Sequence, residues 1–297
     1  MLKIAAYAQT LQGIVDLKNM GFKDATLHPM LLPGISKGIL PNEKTITLIK
    51  KSLEDNEIKP VDLSILGGWD ELSLSGKIYH YLVPSDPEYE ESRKKGVNKF
   101  KELVKLCKNL GCDQITTELG GHPVYRLDHE EAWKKSIKDI GPILHEEGVK
   151  LAFYPHPGDF LMESDLVVDL IREIKRDEIG YVYCVPHTYI LAGKYDANPS
   201  AMIEYASDIL MGVQLADSLK PIQMWVYQHR EIYPYHNHLL PGKGMIDIKE
   251  VLKTLEKINF TGPITLIPYL YGMYPTTLAE VQLEAKKYVE KMISDIY

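Results

Sequence analysis

The sequence predicts a single-domain (β/α)8 barrel spanning residues 1–297. Three observations point there. Short apolar β-rich runs alternate with longer amphipathic stretches from one end of the chain to the other. Several of the short runs, LKIAAYA (Leu2–Ala8) and VKLAFY (Val149–Tyr154) among them, are continuously apolar, as parallel strands buried on both faces must be. The first turn, Gln9-Thr10-Leu11-Gln12-Gly13, lacks the GxGxxG signature of a doubly wound open sheet, the main rival architecture.

In chain order the expected strands are Lys3–Ala8, Asp24–Leu27, Lys59–Leu66, Asp113–Glu118, Val149–Tyr154, Gly180–Val185, Met211–Leu215 and Ile264–Ile267. Amphipathic periodicity places helices over Glu91–Leu110, Glu130–Glu147, Asp165–Arg176, Ser200–Leu210, Ile248–Ile258 and Thr277–Ile296. Asn198-Pro199-Ser200 is a helix start, and Asn109-Leu110-Gly111 and Glu147-Gly148 are glycine-marked helix ends. Two long stretches, Gly67–Glu90 and Ser218–Gly244, read as irregular, and loops of that length often carry a binding site.

The chain carries a formal net charge of −7, which disfavours a nucleic-acid backbone as the partner. No apolar run reaches the roughly 18 residues of a membrane span, and MLKIAAYAQT does not read as a signal peptide. Cys107, Cys112 and Cys184 form neither an even disulfide framework nor a CxxC motif. A cytoplasmic protein with reduced, buried thiols is expected, with no membrane partner.

In a barrel of this class the site lies at the C-terminal strand ends. Six of the ten histidines fall there: His28, His122, His156, His187, His236 and His238. Imidazole serves as acid, base or metal ligand near neutral pH. Carboxylates on that face are few, namely Glu118, Asp217 and Asp159, whereas a hard cation prefers several carboxylate oxygens. Tyrosines, including Tyr154 and Tyr269, and Trp69 add an aromatic lining suited to polyol hydroxyls. His236 and His238 share a face if that segment is extended. Pro241-Gly242-Lys243-Gly244 lacks the length and the Ser/Thr of a P-loop and reads as a plain turn.

HEEGVKLAFYPHPGDF, the Cys184–His187 step, VQLADS and PGKGMIDIKEVLKTLEKINFTGPITL together resemble the xylose-isomerase-like barrel superfamily over nearly the whole chain. That superfamily includes sugar-phosphate isomerases and epimerases, inosose dehydratases, ketose epimerases and apurinic endonucleases. The resemblance implies one divalent ion held by Glu, Asp, His and Glu at the ends of strands five to eight. In this chain those four places hold Tyr154, Cys184, Gln214 and Ile267, each flanked by residues that match. The resemblance also places His187 on a substrate-contacting histidine and Lys220 on a substrate-contacting arginine. His236-x-His238 occupies the Asp-x-His pair of the endonuclease branch, with only the second residue matching.

A sugar isomerase, epimerase or derived lyase working without the family's metal is therefore the first expectation, with no cofactor. Glu118, His156, His187, His236 and His238 are its acid–base candidates; Tyr154, Gln214, Asp217, Lys220, Tyr269 and Trp69 are its contacts to a carbohydrate-like ligand. Two alternatives stay open: a non-catalytic sugar-binding or regulatory barrel, and a metal enzyme with a site rebuilt from Cys184, His156, His187 and His236/His238. Relatives are often dimers or tetramers, so a homo-oligomer fits the resemblance.

Overall fold

The computed structural model describes residues 2–35, 38–65, 74, 87–190, 194–195, 198–219, 222–226, 231–235, 237–268 and 277–296. Leu66, Trp69, Lys220, His236 and Tyr269 lie outside them. The strands are β1 (Lys3–Ala8), β2 (Asp24–Leu27), β3 (Lys59–Ile65), β4 (Gln114–Glu118), β5 (Lys150–Tyr154), β6 (Ile179–Cys184), β7 (Leu210–Leu215), β8 (Ile222–Val226), β9 (Glu231–Tyr235) and β10 (Pro263–Leu266). All but β8 and β9 close into one parallel barrel in the order β1-β10-β7-β6-β5-β4-β3-β2. The expected barrel strands fall within one residue of these bounds.

The helices are α1 (Leu11–Asn19), α2 (Glu43–Asp55), α3 (Pro87–Asn109), α4 (Arg126–Glu147), α5 (Ser164–Ile174), α6 (Val185–Ile190), α7 (Pro199–Tyr205), α8 (Ile248–Lys257) and α9 (Leu278–Ser294). Their ends follow local chemistry. Asn198 accepts the Ala201 N–H at 3.1 Å as the cap of α7. Gly148 closes α4 at φ 62, where a side chain would be strained. Thr277 and Glu280 form a reciprocal capping box on α9.

Four features depart from the sequence reading, the first being α7, which ends at Tyr205 while Leu210, expected at its end, opens β7. α1 and α2 were not among the expected helices; each has a side-chain cap, Thr10 and Asn42, but only a narrow buried stripe, Ile14 and Leu17 in one and Ile46, Ile49 and Leu53 in the other. Val185 does not extend β6. It opens α6, so His187 sits in the first turn of a helix. Ser218–Gly244 is not irregular throughout: β8 and β9 pair antiparallel, and the chain returns to the barrel where Asp217 and Leu239 exchange backbone hydrogen bonds of 2.9 Å each.

Two apolar layers result. The larger fills the space between barrel and helices and is anchored by residues such as Trp133, whose ring meets Phe153 edge-on at 5.0 Å. The smaller lies inside the barrel and comprises Tyr7, Ala152, Tyr154, Val182, Cys184, Ala216 and Ile267. Alternation along parallel strands sends these residues inward, as barrel filling requires. Below them the interior is polar. Thr116 donates to Asp62 at 2.8 Å, Gln114 to Thr116 at 3.2 Å, and Thr26 and Thr265 share a 2.7 Å hydrogen bond. Among the described residues no helix is long and apolar enough to cross a membrane.

Candidate active site

The ends of β4, β5 and β6 and the segment returning from the β8–β9 hairpin bring five expected residues together. Tyr154 closes β5 and donates its phenolic hydrogen to Glu118, the last residue of β4, at 3.1 Å. The ring of His187 stands 5.7 Å from Tyr154, 4.8 Å from His156 and 5.1 Å from His238, centroid to centroid. The contacts with His156 and His238 are edge-on, at 87° and 82°. Nε2 of His187 and Nε2 of His238 lie 3.1 Å apart, a separation that needs one proton between two nitrogens.

Burial grades this cluster. His187 and His238 are 3% and 6% exposed, whereas Glu118 and His156 are half-buried. Burial, and then the nearby charge of His156, push His238 down to about 3, so it is a neutral imidazole at physiological pH. Burial pushes the Cys184 thiol up, which keeps it protonated.

The loops carrying these groups are tied together by buried carboxylates. Asp159 accepts the backbone N–H of Leu119 (3.2 Å), Gly120 (3.1 Å) and His156 (3.0 Å), which fastens the β4 loop to the β5 loop. Burial, reinforced by the charge of Glu118, raises its pKa. Asp217 is likewise turned to backbone. Its two oxygens accept from Ser218 (2.8 Å), Gly242 (2.9 Å), Gly244 (2.8 Å) and Ile246 (3.0 Å). Asp217, expected to orient a ligand, is fully buried and anchors the loop that follows His238. Pro241-Gly242-Lys243-Gly244 is thus a turn wrapped around an internal carboxylate; a Cβ at Gly244 would lie 2.2 Å from the Asp217 oxygen.

Gln214, expected at the ligand, reaches across the barrel to the Tyr7 hydroxyl at 3.4 Å, and Tyr7 meets Ser64 at 3.1 Å. The sequence reading missed Tyr7 and Ser64. A tyrosine in an inward position among alanines, Ala5-Ala6-Tyr7-Ala8, was the available signal. His28 packs edge-on against Tyr7 at 5.0 Å, and burial lowers it to about 4. His28 and His122 each cap a short turn, accepting from Met30 (3.2 Å) and Val124 (3.3 Å). Trp69, Lys220, His236 and Tyr269 lie outside the described residues.

Residues 15–282 match the sequence model of a family described as "Xylose isomerase-like TIM barrel". Among curated proteins, inosose isomerase of Bacillus subtilis (strain 168) is 21% identical, covering 70% of this chain and 72% of its own. Inosose dehydratase of Clostridium perfringens (strain 13 / Type A) is 22% identical over 98% of this chain and 96% of its own. D-psicose 3-epimerase, solved in the presence of D-fructose, superposes with a TM-score of 0.75 at 16% identity, covering 99% of each chain. The IOLI protein, solved with a binding zinc atom, gives 0.73 at 15% identity, covering 100% of this chain and 99% of its own.

Proposed function

The chain belongs to the xylose isomerase-like TIM barrel family, and from that premise we propose that it moves a proton on a small polyhydroxylated ketone, as a sugar or keto-inositol isomerase or epimerase, without a divalent cation. The observation that carries the reading is the convergence of Glu118, Tyr154, His156, His187 and His238 at one end of β4–β6. The relatives named inosose isomerase and D-psicose 3-epimerase support the reaction class and the ligand class.

The donor chemistry at the four strand ends supports metal independence. Tyr154 gives its hydrogen to Glu118, Cys184 is a protonated thiol, Gln214 hydrogen-bonds to Tyr7, and Ile267 has no donor atom. Together they supply no carboxylate and no charge, which does not fit a hard divalent ion. Proton transfer then rests on imidazole and carboxylate side chains. Among the described residues no group of three or more His, Cys, Asp or Glu side chains is placed to hold a metal ion.

A metal-loaded reading has one observation in its favour, the two imidazole Nε2 atoms 3.1 Å apart. Elemental analysis of protein purified without chelators separates the two readings, and stoichiometric zinc, manganese, iron or cobalt would favour the second. Catalysis itself is tested by incubating keto-inositols and ketohexoses with the protein in D2O. Deuterium appearing by NMR at a carbon next to the carbonyl is expected. Tight binding in a thermal-shift screen with neither exchange nor product would instead mark a sugar-binding barrel.

A further inference from the structure

Three strand ends of this chain carry the same dipeptide, His28-Pro29, His122-Pro123 and His156-Pro157, yet the backbone uses Nδ1 of the three rings in opposite senses. At His28 and His122, Nδ1 accepts the N–H two residues on. An accepting nitrogen holds a lone pair, so in each neutral ring the proton sits on Nε2. His156 is reversed. Its Nδ1 lies 2.9 Å from the carbonyl oxygen of Pro157, which has no proton to give. Nδ1 of His156 is therefore the donor, and the lone pair of the neutral ring is on Nε2.

Position adds to tautomer. His187 and His238 are occupied with each other through Nε2 and are almost fully buried, whereas His156 is half-buried at the mouth. Its ring is held edge-on by His187, and its backbone N–H is fixed by Asp159, the carboxylate that also fixes the two residues after Glu118. Among the described residues, the titratable groups that meet it or its direct neighbours are Asp159 from the β5 loop, His187 from α6 with Tyr154 of β5 and His238 of the returning segment against that ring, and Glu118 of β4 through Tyr154.

We propose that His156 is the catalytic base of this site, acting through Nε2, with its Nδ1–H tautomer set by the Pro157 carbonyl. This rests on the isomerase reading above. In the step it performs, the C–H bond next to the ketone breaks, the proton goes to Nε2, and the electron pair moves onto the carbonyl oxygen as an enolate. Return of that proton to the former carbonyl carbon, as the neighbouring hydroxyl proton passes to the enolate oxygen, completes the isomerisation with no oxidant or co-reactant. His187 and His238 support the ring and do not take the proton.

Two measurements test this. Imidazole 15N–1H correlation spectra of the unliganded protein, assigned with single-histidine variants, report each tautomer without any substrate. His156 is expected as Nδ1–H, and His28 and His122 as Nε2–H; a neutral His156 carrying its proton on Nε2 overturns the proposal. For any ketone that exchanges, His156→Asn keeps an N–H near the Pro157 carbonyl but lacks Nε2. It is expected to lower kcat about 100-fold or more, with KM changed less than about threefold. Unchanged kcat in a folded His156→Asn protein also overturns it. If the wild-type protein exchanges no ketone, the isomerase reading fails and the base assignment with it. The spectra then decide separately whether His156 presents an acceptor.

Discussion

The interior of this barrel and its mouth both bury polar side chains, but they do so on opposite terms. In the interior, Gln114, Thr116 and Asp62 are hydrogen-bonded in series and Thr26 is paired with Thr265, all within strands that hold each other in register. At the mouth, Glu118 and His156 remain half-buried, and their neighbours reach them from separate loops. In the interior the hydrogen bonds run within β4, between β4 and β3, and from β2 past β1 to β10, so strand backbone alone sets the partners. The groups able to exchange protons sit where loops, clipped by Asp159 and Asp217, can set ring orientation.

Asp62 tests the interior most strongly. Burial, only partly offset by its hydrogen bonds to Thr116 and Gln114, raises it to about 7 from an ordinary 3.8. A carboxyl whose folded pKa is raised binds more protons in the folded state between those values. Its contribution to stability is therefore full below about 3.8 and is lost as pH rises through about 7. The loss amounts to about 4 kcal/mol. Asp62→Asn should match wild type in urea unfolding at pH 4 and exceed it at pH 8; a gap that does not change with pH would show that the carboxyl does not titrate there.

Asp217→Ala comes next. It leaves four backbone N–H groups without their acceptor, and a loss of about 3 kcal/mol with a lowered Tm is expected. Wild-type stability in this variant would remove the anchoring role. Glu118→Gln belongs to the mouth and should separate from both: exchange falls about 100-fold while unfolding moves by less than about 1 kcal/mol. The smallest effect is expected for Tyr7→Phe, which cuts the Gln214–Tyr7–Ser64 chain inside the barrel. About 1 kcal/mol of stability and a KM change of a few-fold should result, with kcat kept.

Much of this was legible in the chain. Continuous apolar runs placed the barrel strands, because a parallel barrel buries both faces of each strand and leaves an unbroken signal. Glu118, Tyr154, His156, His187 and His238 could be grouped from the chain because they stand at or just beyond strand ends, and the structure brings them near one another. Side-chain direction past a strand end was not legible, since it depends on turn hydrogen bonds. Asp217 and His156 are both polar residues in mouth loops, yet one faces four amides and the other presents a ring. Contacts between residues far apart in sequence were equally hidden, as in Tyr7 with Ser64 and Thr26 with Thr265. α6 escaped because Cys184-Val185-Pro186 continues the apolar run of β6 into the helix.

The most direct test of the central claim is proton exchange before and after metal removal. Protein dialysed against a strong chelator, and shown metal-free by elemental analysis, would be given a keto-inositol or ketohexose in D2O and followed by NMR. Exchange is expected at the rate of untreated protein, with no gain on adding manganese, magnesium or zinc. Exchange abolished by the chelator and restored by one of those ions would contradict it.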